Sequence, residues 1–154
     1  MEQEVVISRK GDAESCVAEL CSKLKHEPSH YKAVIFMAAI SYDFEELSNL
    51  IKEKFPTIEL NGTTTAGENC PEGFINNSVV LTTMADATVK CSAVLVEKGS
   101  RYPVVSRENI IDALSKCSIR CNDQFSHKDA FANAFINGVF NGEETVLTNF
   151  YSII

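Results

Sequence analysis

The chain has 154 residues, of which 14 are Lys or Arg and 21 are Asp or Glu, so its formal net charge is −7. This acidic balance excludes a nucleic-acid-binding surface, which needs a basic stripe to displace counterions from phosphates. Hydrophobic residues make up 45% of the chain and charged residues 23%. These fractions exclude the disordered and membrane-spanning classes and predict one globular domain over residues 1–154.

The first 40 residues predict alternating strands and helices. Residues 4–9 are β-prone, and Asp12 is placed to cap a helix. The apolar residues of that helix recur at helical spacing, at Ala13, Cys16, Val17, Leu20 and Leu24. The continuous apolar run of residues 33–40 predicts a central strand that is covered on both faces.

A second helix and a further strand complete a predicted βαβ unit. Asp43, with Glu46 three residues later, predicts a capping box for a helix that Pro56 ends. A strand is expected over residues 57–61. Because residues 33–61 provide the crossover length that parallel strands need, we predict that the two strands of this unit are parallel.

The remaining residues predict a hairpin, two helices and a last strand. Residues 78–84 and 88–97 are strand-like and are separated by a tight turn. Ser106 and Ser126 are each expected to cap a helix, and a strand is expected over residues 145–154. The predicted fold class is α/β, a single domain whose mixed β-sheet has helices packed against it and whose βαβ unit is followed by an antiparallel hairpin.

The chain shows no export or membrane signal, so we expect a cytoplasmic protein. Two acids lie among the first four residues, and the longest apolar run is far shorter than the roughly 20 residues of a membrane-spanning helix. The cysteines form no C-x-x-C pair, which argues against a zinc knuckle or a redox site. All are expected to be reduced: Cys16, Cys21, Cys70, Cys91, Cys117 and Cys121.

Residues 61–74 are expected to form a loop with the glycine spacing of a phosphate-binding P-loop. Gly62 and Gly67 match that spacing, but Glu68 and Asn69 stand where Lys and Ser or Thr would contact phosphate and magnesium. A carboxylate at this place repels phosphate, so we do not expect a nucleotide site.

The same loop suits a small polar ligand that carries an amine, such as an amino acid. It follows a parallel strand, and open α/β sheets bind ligands at that end of their strands. Glu68 would pair with the ligand ammonium, and backbone amides with its carboxylate. The predicted ligand-binding residues are Gly62, Thr63, Thr64, Thr65, Gly67 and Glu68. The alternative is that these residues only satisfy backbone groups in a tight turn.

Around this loop the sequence resembles the N-terminal part of the FIST family of intracellular signal-transduction sensors. The family pattern is an apolar strand, a Tyr-Asp helix start, Phe-Pro, a Gly-x-Thr-Thr-Ala-Gly-Glu loop and a Gly-Phe pair. It is matched here by residues 33–40, Ser41-Tyr42-Asp43, Phe55-Pro56, residues 61–68 and Gly73-Phe74. The resemblance covers about residues 31 to 97.

The resemblance implies a bacterial cytoplasmic sensory module that binds small molecules such as amino acids. Its implied partners are a small-molecule ligand and an output domain such as a kinase, a cyclic-dinucleotide enzyme or a chemoreceptor, with a homodimer as a further arrangement. It also implies that residues 1–154 are the first part of a longer two-part sensor domain. Thr63 stands where many relatives have Cys, which removes thiol chemistry from that position.

Some FIST relatives are haem proteins, and the candidates for haem or a metal ion here are His26, His30 and His127. Pro28 prevents the first two from sharing a helix face, and a metal site usually needs three or four clustered ligands. We therefore expect solvated loop histidines, with no haem and no metal site.

Two other classes of function stay open. Cys70 is a candidate nucleophile for a hydrolase or transferase, although no histidine adjoins it in the sequence and no catalytic residue is predicted. The other class is an interaction domain without a ligand, which pairs with a partner or a second copy through a sheet edge or its last strand.

Overall fold

The computed structural model describes residues 2–97, 101–120, 130–136 and 143–153. The chain divides into two compact units, Met1–Cys91 and Ser92–Ile154. The first unit contains six strands: β1 (Glu2–Ser8), β2 (Ala33–Ala39), β3 (Glu59–Thr65), β4 (Glu68–Cys70), β5 (Gly73–Ile75) and β6 (Val79–Ala85).

Four of these strands form one mixed sheet in the order β1-β6-β2-β3. β2 and β3 are parallel, while β6 lies between β1 and β2 and is antiparallel to both. β1, β2 and β3 therefore run in the same direction and end at the same edge of the sheet. The α/β fold class and the βαβ unit of the sequence prediction are confirmed.

Helices α1 (Ala13–Lys23) and α2 (Phe44–Lys54) begin where their capping residues predict. The Asp12 carboxylate accepts the backbone N–H of Ser15 at 2.7 Å, and Asp43 accepts that of Glu46 at 3.0 Å. These caps satisfy N–H groups that have no partner within the helix.

Both helices pack against one side of the sheet, which we call the helix face. It carries Val6, Val34, Phe36, Ala38 and Leu81, which form one core with Cys16, Val17, Leu20, Leu47, Ile51 and Phe55. Burial of each large apolar side chain stabilises the fold by about 1.5 to 3 kcal/mol. This core accounts for most of the apolar burial that holds the first unit together.

The other side of the sheet, which we call the opposite face, is less completely packed. Strand register aligns Val5, Thr82 and Ile35 in one row and Val80 and Met37 in the next. Val5 is 41% exposed, and the side chains of Ile35 and Met37 are half-buried.

Two predictions for the middle of the chain are wrong. Residues 62–65 belong to β3 rather than to a loop, because they continue the parallel pairing with β2. Residues 88–97 form no strand, since both edges of β6 are already paired, with β1 and with β2. The antiparallel hairpin that follows the βαβ unit is instead β4 with β5.

The second unit contains α3 (Pro103–Lys116) and α4 (Glu143–Tyr151). Ser106 does not cap α3, because proline begins the helix three residues earlier and the Ser106 hydroxyl donates to the Tyr102 carbonyl at 2.9 Å. No helix among the described residues is both long and apolar enough to span a membrane.

The strand expected at residues 145–154 is also wrong, since residues 143–151 form α4. Two acids in the first turn, Glu143 and Glu144, favour a helix start there. Of the helix expected after Ser126, residues 121–129 lie outside the described part of the chain, and residues 130–136 form no helix.

Candidate functional site

The two glycines of the predicted binding segment each lie against an aromatic ring, buried at Gly62 and exposed at Gly67. Gly62 pairs with Phe36 across the sheet, and a Cβ atom on it would lie 2.1 Å from the Phe36 ring. A Cβ atom on Gly67 would likewise lie 2.1 Å from the ring of Phe74. Gly62 is therefore needed for the close approach of a core aromatic ring, whatever its role towards a ligand.

The three threonines of the segment do not share one side of the sheet. Thr63 and Thr65 lie on the opposite face, beside Met37 and Ala39, because β3 is in register with β2. Thr64 points to the other side and is exposed. The predicted row of three hydroxyls is thus divided by the period of the strand.

Glu68 lies where β4 crosses the end of the sheet, and its side chain is completely buried. One carboxylate oxygen accepts the Thr65 hydroxyl at 2.7 Å, and the other accepts the Ser78 hydroxyl at 2.5 Å. Two charge-assisted hydrogen bonds offset part of the cost of burying this carboxylate and fix β4 to the sheet. The structure thus joins Thr65 and Glu68, and adds Ser78, which no sequence motif indicated.

A cavity of about 330 Å³ lies on the opposite face, beside the turn between β4 and β5. Its walls come from four strands and from that turn: Val5, Ile35, Met37, Asn69, Cys70, Pro71, Val80 and Thr82. Only Cys70 among them was a candidate from the sequence, because strand register brings the others together from distant positions. The feature of the sequence that could have indicated this cavity is the continuous apolar run of β2. Because its alternate residues point to opposite sides of the sheet, both sides must be covered by another layer or by a ligand.

Among the described residues, the thiol of Cys70 has a backbone carbonyl as its hydrogen-bond partner rather than a base. Its Sγ donates to the carbonyl oxygen of Gly73 at 3.2 Å. A nucleophilic thiol is activated by a base or a neighbouring positive charge, whereas a carbonyl supplies neither. In this structure Cys70 forms part of the cavity wall, and its hydrogen-bond partner among the described residues is the Gly73 carbonyl.

The structure brings His26 and His30 together despite Pro28. A short 3₁₀ turn, Pro28–His30, places their ring centroids 4.2 Å apart. Both rings lie against Tyr31, at centroid distances of 6.3 and 5.8 Å. Burial, with the hydrogen bond to Glu4, raises the pKa of Tyr31 to about 12, so its hydroxyl stays a donor.

The walls of the cavity on the opposite face bear on whether a histidine could hold haem there. Among the described residues no histidine lines that cavity, so an axial ligand from imidazole is not supplied there. His127 lies outside the described residues. The absence of haem stays a prediction.

Comparison with protein families gives one match, and it covers most of the chain. The family model of the FIST N domain matches residues 32–154, which include β2, β4, β6 and their contributions to the cavity. A comparison with curated proteins gave no match. The family is one of signal-transduction sensory domains. Because its model matches far more than half of the sequence, the chain belongs to the FIST family through its FIST N domain.

Proposed function

We propose that the chain is a cytoplasmic sensory module of bacterial signal transduction that binds a small amino-acid-like ligand in the cavity of the opposite face. The observation that carries this proposal is the cavity itself. It lies on the incompletely packed side of a sheet whose helix face carries the buried core, in a chain that belongs to a family of sensory domains.

The composition of the cavity walls favours an amino acid with an apolar side chain. Val5, Ile35, Met37 and Val80 provide an apolar surface, while the Asn69 amide and the Thr82 hydroxyl provide polar groups. Ligand cavities of about 300 Å³ and more commonly combine apolar walls with a few polar groups that fix orientation. In this arrangement the ligand side chain lies on the sheet, and its ammonium and carboxylate groups face Asn69 and Thr82.

Glu68 then acts mainly by positioning the wall above the ligand. Its carboxylate is buried between Thr65 and Ser78, and it directly precedes Asn69 in β4. Direct contact of the ligand with Gly62, Thr63, Thr64, Thr65, Gly67 or Glu68 stays a prediction. The burial of Glu68 favours the positioning role over the ammonium contact.

The hairpin of β4 and β5 is the element through which ligand binding would reach an output domain. It contributes Asn69 and Cys70 to the cavity, and it is short, with three residues in each strand. A ligand that contacts this hairpin would restrict its position. The output partner in this proposal is a kinase, a cyclic-dinucleotide enzyme or a chemoreceptor.

The test is calorimetry of the whole chain with each of the twenty amino acids, with ATP and with putrescine. We expect binding of one or more apolar amino acids. Asn69→Ala should weaken that binding about three- to tenfold, since a typical hydrogen bond contributes about 0.5 to 1.5 kcal/mol after exchange with water is counted. Asn49→Ala is the matched control, because Asn49 is an exposed residue of α2.

Two results would contradict the proposal. One is binding of ATP with no binding of any amino acid. The other is amino-acid binding that Asn69→Ala and Thr82→Val leave unchanged, because the ligand would then lie elsewhere. Binding of putrescine that Glu68→Gln abolishes would instead favour the direct ammonium contact with Glu68.

A further inference from the structure

A second cluster of chemically active side chains lies away from the cavity, where β1 meets the connection between α1 and β2. One carboxylate oxygen of Glu2 is 3.4 Å from Nε2 of His26. A ring nitrogen of His30 completes a group of three ligand atoms that all lie within 4.8 Å of one another. These side chains are accessible, since His26 and Glu2 are 38% and 46% exposed.

The backbone that carries the two histidines is held in place by a buried carboxylate. Glu4 is 6% exposed, and it accepts the backbone N–H of Lys25 at 3.0 Å and the hydroxyl of Tyr31 at 2.8 Å. The Tyr31 hydroxyl in turn accepts the backbone N–H of His26 at 3.3 Å. Both ends of the segment from residue 25 to residue 31 are thereby fixed to β1.

Strand geometry places the third group on the same side. Residues of a strand alternate between faces, so Glu2 projects to the same side as Glu4. The buried acid therefore fixes the histidine segment directly beside the exposed acid. The resulting position of Glu2 follows from the fold and does not depend on a chance meeting of two long surface side chains.

We propose that Glu2, His26 and His30 bind a divalent transition-metal ion, and that Zn²⁺ is the ion they favour. A tetrahedral ion with bonds of about 2.1 Å separates its ligand atoms by roughly 3.4 Å. The distance between Glu2 and His26 already has that value. The remaining distances need to shorten by less than about 1.5 Å, which rotation of exposed side chains provides.

The donor set defines the class of ion. Two imidazoles with one carboxylate suit zinc and its neighbours in the first transition row, whereas Ca²⁺ and Mg²⁺ prefer sites made of oxygen ligands. Three protein ligands leave a further position for water or for a group from a partner. The ion would link β1 to the segment before β2 and so close a loop of the chain.

Isothermal titration of the whole chain with ZnCl₂ tests the proposal, with MgCl₂ as the control ion. We expect one Zn²⁺ per chain and no heat from Mg²⁺. His26→Ala, His30→Ala and Glu2→Gln should each lower the affinity for Zn²⁺ by about tenfold or more. Glu27→Gln is the matched control for the loss of charge, because Glu27 is an exposed acid between the two histidines. It should change the affinity by less than about twofold.

NMR of the imidazole nitrogens identifies which histidines bind the ion. On addition of Zn²⁺, the nitrogen resonances of His26 and His30 should shift. Zinc affinity that is unchanged in the His26 and His30 variants, as binding to thiolates would give, overturns the proposal. So does one ion per two chains with dimer formation, or the absence of any Zn²⁺ binding.

Discussion

The two faces of the sheet in the first unit differ in how completely their apolar side chains are covered. On the helix face Val34 and Phe36 are 0% and 2% exposed, whereas Val5 on the opposite face is 41% exposed and lines a cavity. The two sets of residues alternate along the same strands. A single stretch of sequence thus supplies both a packed core and a surface with room for a ligand.

Whether a residue contributes to stability or to ligand binding should therefore depend on the face of the sheet that it occupies, and less on its position along the chain. Gly62 and Phe36 belong to the helix face, while Thr63 and Met37, their next neighbours, belong to the opposite face. We therefore expect substitutions one residue apart to have different consequences.

The largest expected effect is that of Phe36→Ala, which should lower the free energy of unfolding by about 3 to 5 kcal/mol. The Phe36 ring is buried in the core and lies 5.3 Å from the ring of Phe44. Met37→Ala, on the half-buried opposite face, should cost about 1 to 2 kcal/mol. Urea unfolding measures both. Equal costs would show that the two faces are packed alike.

Gly62→Ala should destabilise the chain by about 1 to 3 kcal/mol, because the added methyl group overlaps the Phe36 ring. The double variant Gly62→Ala with Phe36→Leu should be less destabilised than the sum of the two single variants, since the smaller side chain makes room. The measurement is a double-mutant cycle by urea unfolding. Strict additivity would count against the packing explanation for Gly62.

Glu68→Gln should lower stability by about 1 to 2 kcal/mol, because the amide oxygen can take the place of only one carboxylate oxygen, and the NH2 group cannot accept the second hydroxyl of the Thr65 and Ser78 pair. Glu53→Gln is the matched control, since Glu53 is an exposed acid of α2. Thermal unfolding of both variants is the measurement. If Glu68→Gln were as stable as the wild type, the positioning role of Glu68 would be contradicted and direct contact with the ligand would be favoured.

Acid should weaken the attachment of α1 to β1. The hydrogen bond from the Ser8 hydroxyl to Glu19, at 2.6 Å, and that from Lys23 lower the pKa of the Glu19 carboxyl below its ordinary value near 4.5. A lowered pKa in the folded state contributes stability above that ordinary value, and the contribution is lost as the pH falls below it.

The wild type should therefore lose more stability than Glu19→Gln between about pH 5 and pH 3, in urea unfolding measured across this range. Glu14→Gln provides the control on the exposed side of the same helix. Parallel pH profiles for the wild type and the Glu19 variant would contradict the assignment.

The last contrast between the two faces concerns the reactivity of their thiols, which chemical labelling measures without any substitution. Burial raises the pKa of Cys16, which packs against the helix face, so its thiolate is scarce at neutral pH. Cys70 lines the cavity and is only partly buried. Iodoacetamide labelling followed by peptide mass analysis should modify Cys70 well before Cys16. Faster labelling of Cys16 would mean that the core opens readily.

The elements that depend on interactions between residues close in the sequence could be predicted from the sequence. The caps at Asp12 and Asp43 each depend on one side chain and an N–H three residues away, and the strand of residues 33–39 is a continuous apolar run. Both lie within the reach of a local pattern. The resemblance to the FIST family, which covers about residues 31 to 97, was confirmed by the match of the family model to residues 32–154.

The elements that were predicted wrongly, and the cavity, depend on pairing between strands that are distant in the sequence. Gly62 and its threonine neighbours have turn composition, yet pairing with β2 makes them a strand. Residues 88–97 have strand composition, yet β6 has no free edge to receive them. The cavity walls and the meeting of Glu2 with two histidines depend on register and on a 3₁₀ turn, which no motif encodes.

The central claim is that ligand binding uses the opposite face and leaves the helix face undisturbed, and methyl NMR during titration with L-leucine tests it most directly. The account predicts progressive shifts of the Ile35, Met37 and Val80 methyl resonances, while those of Leu47 and Ile51 in the core stay in place. Shifts confined to Leu47 and Ile51, or no shift in a titration that calorimetry shows to be binding, would contradict it.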